Sequence, residues 1–575
     1  MSQPTEISIK VSWTHKNCEL FLLQDSRRAM EAEMSPDCTA DGLFLRRVIV
    51  GGDGQFRSPM IKGIFLAVGM SYLIAFAEIA HYLRRAFEET LADSTKCSKG
   101  DSAAGRCYGG FARISTVVNQ ARNSSMPTLF LDAGDTYDGS IWFTVYKWEI
   151  VSKFLNILAP NASSLGNHEF DQGLEGLKPY LARASYPIVA SNVDLKNNAL
   201  LPRSSLSNST IVEFNGTRIG IIGYVTPNTM YEGNPGNVDF FDEIKSIQRE
   251  VDKLRANGIE IFIALGHSGI DMDLQIAREV DGLDMIVGGH SHTFLYTGEP
   301  PDSEKTNYTY PIKVEREDGS IVYVVQAYAY TKYLGNITVG FDRTGNVTNI
   351  AGRPILLNKE IEQDPDVLAE LEKWRAPVTT LENTIVGKTK VFLDGQWNSC
   401  RKQECNLGNL ITDAMIDYNL KHFNGSDAWT DAAIAIHESG SIRASIPRTN
   451  DGKITMSDIW TVLPYNDEMM KVTVTGKEIL HALEWSVYSL EQNQTANFKG
   501  AYLQVSGLRV KYDLMQSPGS KVLYTEVRCT ICDIPSFSEI NIEANYTILL
   551  TGYLARGGDG FNVFKKSLVS HTEPR

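Results

Sequence analysis

Positive charge is in short supply. Lysine and arginine number 55 against 69 aspartate and glutamate, a formal balance of −14, and no basic block interrupts the chain. A sequence without a cationic stripe has no footprint for a phosphate backbone, which argues against nucleic acid as a partner. Long apolar runs are also missing: the one candidate, Ile64 to Ala77, is short of the roughly 20 residues that a membrane span needs. There is no low-complexity stretch and no evident repeat. What remains, 43% hydrophobic and 22% charged over 575 residues, is enough for two or three ordinary domains with cores of their own.

Cysteine is sparse, at eight residues, and its spacing relative to the histidines composes no zinc-binding set. Three close pairs stand out instead, Cys97 with Cys107, Cys400 with Cys405 and Cys529 with Cys532, while Cys18 and Cys38 lie far from them. Local disulfide loops are the better reading, and they require an oxidising compartment. Asn-x-Ser/Thr sequons at Asn123, Asn161, Asn208, Asn215, Asn307, Asn336, Asn346, Asn424, Asn493 and Asn545 point the same way. Residues 1–59 are polar and hold no entry signal. One lies inside the chain: Met60-Ile-Lys, an apolar run from Gly63 to Ile74, then Ala75-Phe76-Ala77, which is a basic start, an apolar core and a cleavage site in order. This reads as a signal peptide over 60–77, cleaved before Glu78 and preceded by an unmatched extension over 1–59; a signal anchor, for which the run is short, and a buried helix are the other readings.

From about Cys107 onward, short apolar runs alternate with helical stretches. Thr128–Asp132, Pro187–Ser191, Ile219–Tyr224, Ile259–Leu265 and Met285–Val287 are predicted as buried strands, each closely followed by polar or glycine residues. In α/β sheets, ligands bind beyond the carboxyl ends of strands, so those ends are where chemistry is expected. Near residue 360 the texture changes. Asp364-Pro365 predicts a helix start, Val367, Leu368, Leu371 and Trp374 share one predicted face, and Pro377 predicts its stop. An isolated helix joining two domains fits this pattern.

The strand ends carry metal-type ligands: Gly134-Asp135, Gly166-Asn167-His168-Glu169 with Asp171, Gly266-His267, and Gly289-His290-Ser291-His292. Glycine permits a sharp turn and a close approach of the next side chain to an ion. Mixed Asp, Asn and His donors suit a borderline dication such as zinc or manganese, and a carboxylate can bridge two ions. Any one of these segments alone reads as a turn, a cap or a hydrogen-bonded histidine. Their succession after predicted strands is far more specific.

Asp132-Ala-Gly-Asp-Thr-Tyr-Asp-Gly139, Leu165-Gly-Asn-His-Glu-Phe-Asp171, Ala264-Leu-Gly-His-Ser-Gly269 and Gly288-Gly-His-Ser-His-Thr-Phe294 resemble the motifs of calcineurin-type metallophosphoesterases and, more narrowly, of the secreted 5′-nucleotidase and apyrase family. The likeness runs over 86–575 and includes Ile141-Trp-Phe-Thr-Val-Tyr-Lys147. It implies an α/β protein: a four-layer αββα metallophosphoesterase domain over 86–357, a linker helix over 358–383 about which the second domain swings, and an α+β nucleotide-binding domain over 384–575. It also implies two divalent metal ions, zinc first, with manganese, magnesium or calcium as alternatives. Asp135 then resembles the carboxylate that bridges both ions, Asn167, His267 and His290 complete one site, and His292 falls at the other. His168 would stabilise charge at the phosphate or protonate the leaving ribose oxygen, oriented by Asp171.

Further matches lie toward the C-terminus. Cys400-Arg-Lys-Gln-Glu-Cys405 and Gly440-Ser-Ile-Arg443 resemble segments that hold the phosphate and ribose side through arginine, here Arg401 and Arg443, whose planar forks make paired charge-assisted bonds. Leu463-Pro-Tyr465 and Gly552-Tyr-Leu-Ala-Arg-Gly-Gly-Asp-Gly-Phe561 resemble the base clamp and ribose site, with Tyr465 and Tyr553 about the purine and Asp559 on a ribose hydroxyl.

The chain departs from the family pattern at several points. His437-Glu-Ser-Gly-Ser-Ile-Arg443 has Glu438 where the family commonly has asparagine, and Thr412 and Ala433 stand at the two positions of a further family disulfide. Upstream, the strand ending in Asn-Asp-x-His is missing: counting back from Phe87-Glu-Glu-Thr90 gives Tyr82 and Arg84 in its place, with Glu78 and His81 the nearest other donors. A lost or mis-joined coding segment would account for this. The sequence ends at Ser567-Leu-Val-Ser-His-Thr-Glu-Pro-Arg575 without a GPI signal, so a secreted protein is expected, or a cell-surface one if that signal follows in a longer chain. The leading expectation is an extracellular 5′-nucleotidase that converts AMP to adenosine and phosphate. Apyrase action on ATP and ADP is a second reading, and nucleotide binding without catalysis a third. Because the Asp-x-His pair is absent, the purified chain should retain about one tightly held dication rather than two, measured by elemental analysis after dialysis. Full turnover with two tightly bound ions would contradict this.

Overall fold

The computed structural model describes residues 87–566 except 93–94, 138–139, 196–204, 215, 343, 426, 449, 466, 489 and 491–499, together with a few backbone strands outside that range. Of those, Ile7–Ile9, Leu20–Leu23, Met30–Met34 and Val48–Val50 pair antiparallel in one sheet. Apart from the strand Met70–Tyr72, the signal-like segment lies outside the described residues, as do Glu78, His81, Tyr82 and Arg84. Among the described residues no helix is long and apolar enough to cross a membrane.

Two sheets stack in the first lobe. One holds β1 (Leu131–Asp132), β2 (Ala162–Ser164), β3 (Ile188–Val189) and β4 (Leu206–Ser207), all parallel, in the order β4-β3-β2-β1. The other holds β5 (Ser209–Phe214), β6 (Thr217–Val225), β7 (Ile261–His267), β8 (Met285–Val287), β9 (Ile312–Glu315) and β10 (Ile321–Val325), in the order β5-β6-β7-β8-β10-β9, parallel from β6 through β10 with antiparallel edges. Helices cover the outer face of each. Phe111, Ile114 and Val118 of helix Phe111–Arg122 and Ile150, Phe154 and Leu155 of helix Trp148–Leu158 pack on the first sheet, and Ile247, Val251 and Ile276 pack on the second. This is the αββα arrangement. β7 is buried along its whole length, because a parallel strand covered on both faces needs a continuous apolar run rather than alternation. Among the described residues β1 is the edge of its sheet.

The linker departs from expectation. Asp364 caps a helix over Pro365–Lys373 by accepting from the Asp366 and Val367 N–H groups, but the chain bends at Trp374 and continues as a second helix, Arg375–Asn383. Pro377 sits in the first turn of that second helix, where its missing N–H costs nothing, so it does not act as a stop. Nor is the linker isolated. Val367, Leu371 and Val378 join the first lobe's core, and the Ser115 hydroxyl donates to Asp364 at 2.7 Å. Leu368, expected on the same face, is 39% exposed.

The second lobe is built on a sheet in which β11 (Ile434–Glu438) runs parallel to β14 (Asn545–Thr551) and antiparallel to β13 (Leu503–Ser506), with β12 (Met469–Thr475) antiparallel to β14. Helix Gly476–Ser486 buries Ile479, Ala482 and Leu483 against it. Cys97–Cys107, Cys400–Cys405 and Cys529–Cys532 are closed as disulfides. Leu371→Ala should cost about 2–5 kcal/mol and Leu368→Ala less than about 0.5 kcal/mol, measured by urea denaturation. Equal losses would refute the burial pattern of the linker.

Candidate active site

Loops leaving the carboxyl ends of β1, β2, β7 and β8 converge on Asp135, which is fully buried. Its Oδ1 accepts the His168 backbone N–H at 3.0 Å, and its Oδ2 lies 3.0 Å from His267 Nε2 and 3.8 Å from His168 Nε2. The two loops from the first sheet are tied together by Glu169, also fully buried. Its carboxylate accepts from the N–H groups of Asp135 (2.9 Å), Thr136 (2.5 Å), Tyr137 (3.1 Å) and Gly166 (2.6 Å) and from the Thr136 hydroxyl (2.8 Å). Gly166 is required by this closeness, since a Cβ there would come within 2.2 Å of Asp135 Oδ1. Burial and the Asp135 charge nevertheless leave the Glu169 carboxyl above its usual range.

His267 Nδ1 lies 2.7 Å from the Ala133 carbonyl, which can only accept, so Nδ1 carries a proton. In the neutral ring Nε2 is then an acceptor facing the Asp135 carboxylate at 3.0 Å. Two acceptors at that distance need a cation between them, either a proton or a metal ion. Burial opposes charge on the ring, but Asp135 and the Ala133 carbonyl outweigh it and raise its pKa. Asn167 Oδ1 lies 3.1 Å from His290 Nδ1, and the His267 and His290 rings meet edge to face at 5.3 Å. Asp135, Asn167, His267 and His290 thus form two adjacent donor pairs that fit a borderline dication, with the outer nitrogen of His267 oriented by a carbonyl. Glu89, Cys97 and Cys107 also cluster, but both sulfurs are spent in the disulfide.

His168 and Asp171 meet: Nδ1 lies 2.7 Å from Oδ2, and the ring stacks on Tyr465 of the second lobe at 5.7 Å. His292 packs against Trp397 at 4.8 Å and Tyr330 at 6.0 Å. Trp397 carries the Arg401 guanidinium at 4.4 Å from its ring and that of Arg443 at 5.7 Å, while Arg443 donates to the Gly440 carbonyl at 2.7 Å. The Tyr553 hydroxyl donates to Asp559 at 3.0 Å and accepts the Asp559 N–H at 3.0 Å. Sequence reasoning assigned no role to Trp397 or Glu232, and it placed Glu169 only within a segment of metal-type ligands. Trp397 had no signal beyond its place before the Cys400–Cys405 loop. Glu232 lies in a short turn, Thr229–Glu232, and its Oε2 is 3.9 Å from His290 Nε2. Burial, then Asp559 and Asp135, push its carboxyl up to about 8.

A two-lobed α/β chain with acid, amide and imidazole donors at its strand ends and two arginines opposite defines a metal-dependent phosphoesterase. The calcineurin-like phosphoesterase family profile matches residues 81–294, and that of the 5′-nucleotidase C-terminal domain matches residues 385–566. The human (Homo sapiens) 5′-nucleotidase is 44% identical over 487 residues, covering 84% of this chain and 83% of its own. Snake venom 5′-nucleotidase of Crotalus adamanteus is 42% identical, covering 84% and 81%. The crystal structure of a 5′-nucleotidase precursor from Thermus thermophilus superposes with a TM-score of 0.75 at 34% identity, covering 88% of this chain and 93% of that one. The chain belongs to the 5′-nucleotidase family, a family of hydrolases that use divalent metal ions.

Glu169→Gln presents amide hydrogens to a ring of N–H donors and should lower stability by about 2–4 kcal/mol, read from denaturant midpoints. A loss within about 0.5 kcal/mol would show that Glu169 does not hold the loops together.

Proposed function

We propose that the chain is an extracellular 5′-nucleotidase that hydrolyses nucleoside 5′-monophosphates, AMP to adenosine and phosphate foremost. The observation that carries this reading is the Asp135–His267 acceptor pair, which needs a cation, in a fold whose relatives are 5′-nucleotidases. Asp135, Asn167, His267 and His290 would hold one ion, and Asp135 with His292 the other, with zinc favoured by the imidazole donors. The ions, when bound, supply positive charge at the phosphoryl group and an acidified water. His168, with its Nδ1 proton on Asp171, keeps Nε2 toward the phosphate and can pass a proton to the leaving ribose oxygen. Arg401 and Arg443 would hold the phosphate and ribose side. Tyr465 and Tyr553 would flank the purine, and Asp559 would accept from a ribose hydroxyl.

In this reading 86–357 carries the metals, 358–383 links, and 384–575 carries the nucleotide. Secretion is supported by the three disulfides and by the exposure of Asn123, Asn208, Asn307, Asn346, Asn424 and Asn545, whereas Asn161 is half-buried and spends its Oδ1 on the Phe130 N–H at 2.9 Å.

Phosphate release from AMP, ADP and ATP with added zinc or manganese tests the reading, and preference for AMP is expected. His168→Ala should lower kcat about 10²–10⁴-fold with little change in KM. Replacing residues 78–85 with a strand ending in Asn-Asp-x-His should raise turnover. Release from ATP and ADP but not AMP would overturn the proposal.

A further inference from the structure

One buried amide sits behind the histidine loop that leaves β8. Gln326 directly follows β10, is 1% exposed, and is bonded at both ends of its side chain. Its Nε2 donates to the Gly289 carbonyl at 3.1 Å and to Asp273 Oδ2 at 2.7 Å. Its Oε1 accepts the Thr293 backbone N–H at 3.2 Å and the Ser291 hydroxyl at 3.1 Å. One end meets acceptors and the other meets donors, so the amide has a single orientation. Asp273, itself fully buried, is held at its other oxygen by the Tyr224 hydroxyl at 2.7 Å. The helix Ile270–Glu279 that carries Asp273 also grips the loop at its start, where the Ile270 N–H donates to Ser291 Oγ at 2.9 Å.

These bonds enclose the turn Gly289-His290-Ser291-His292-Thr293. A carbonyl at its entry, a hydroxyl at its middle and an N–H at its exit all meet the same side chain. Between them lie His290 and His292, both in left-handed backbone conformations, with φ of 77° and 56°. Residues other than glycine keep such conformations only where the surrounding bonds over-determine them, and Gln326 supplies three of those bonds. The turn sends its two imidazoles apart. His290 Nδ1 comes within 3.1 Å of Asn167 Oδ1, while the His292 ring lies 4.8 Å from that of Trp397. The entry to the turn is pressed onto the same support, since a Cβ on Gly288 would lie 1.9 Å from Asp273 Oδ2.

We propose that Gln326 is a positioning residue for metal binding, a clasp that holds the His290-Ser291-His292 turn so that both imidazoles are aimed before an ion arrives. This rests on the reading of His290 and His292 as metal ligands. Without the clasp the turn can relax toward ordinary backbone angles, and binding must then re-order the ligands. Affinity for the ion suffers, by about 10–100-fold for outer partners that orient ligands.

The experiment is a zinc titration of the full chain, first freed of metal, in competition with a chromophoric chelator, together with the visible spectrum of the cobalt-loaded chain. Gln326→Met fills similar space without donor or acceptor; it should bind zinc about 10–100-fold more weakly and alter the cobalt band. Leu371→Ala, in the linker, is the comparison for lost stability: it should lower the urea midpoint and bind zinc as the unaltered chain does. Ser291→Ala keeps Gln326 but removes one of its partners; it should weaken zinc in the same direction, and it decides the matter if Gln326→Met does not fold. Unchanged zinc affinity in the deciding variant, or an equal weakening in Leu371→Ala, would overturn the inference. If the unaltered chain binds neither ion, or if His290→Ala binds zinc as tightly, the metal-ligand reading itself falls, and the inference with it.

Discussion

Glu169 places one carboxylate between the loop after β1 and the loop after β2 and there accepts the N–H groups of Asp135, Thr136, Tyr137 and Gly166. Each of those N–H groups would otherwise be a buried donor at a chain reversal, where an unmet hydrogen bond costs about 1–3 kcal/mol. One acid group thus fixes the separation of Asp135 from Asn167 and His168. The second sheet is then brought to the same point by the His267 contact with the Ala133 carbonyl. Two sheets that pack face to face through apolar side chains acquire a polar joint at one end, and that joint is the candidate site.

The second lobe reaches the site through flat rings. Tyr465 stacks on His168, and Trp397 lies between His292 and the guanidinium groups of Arg401 and Arg443. The Cys400–Cys405 disulfide closes the loop that carries Arg401. With Val367, Leu371 and Val378 in the first lobe's core, the linker is anchored to that lobe.

Much of the site was legible because its chemistry is written as glycine followed by a ligand at strand ends, a pattern that survives translation into three dimensions when the strands are parallel. Asp135, Asn167, His267 and His290 each follow a glycine in that way, whereas His168 and Asp171 came from the family resemblance of their motif. Strand limits were less legible: Thr128–Asp132 contributes only Leu131–Asp132 to the sheet, since hydrogen-bonded pairing depends on the neighbouring strand. Leu368 misled because a helix packed on one neighbour buries a narrower stripe than its apolar residues suggest. Pro377 misled because its effect depends on whether it falls inside a helix or at the start of the next. Glu169 was in view within its motif, yet its role is invisible in sequence because its partners are backbone atoms, which every residue has. Trp397 and Glu232 acquire meaning only from residues distant in sequence, His292 for the one and His290 for the other.

Asp135, His290 and His292 all adopt left-handed backbone conformations, with φ of 60°, 77° and 56°. Each such residue other than glycine costs on the order of 1–3 kcal/mol. The substitution that would relax these turns most readily is to glycine, and it would remove the donors. Selection for a sturdier fold and selection for chemistry therefore pull against each other at these positions. A variant recovered from a screen for thermal stability alone would be expected to gain its stability there by giving up its reactivity.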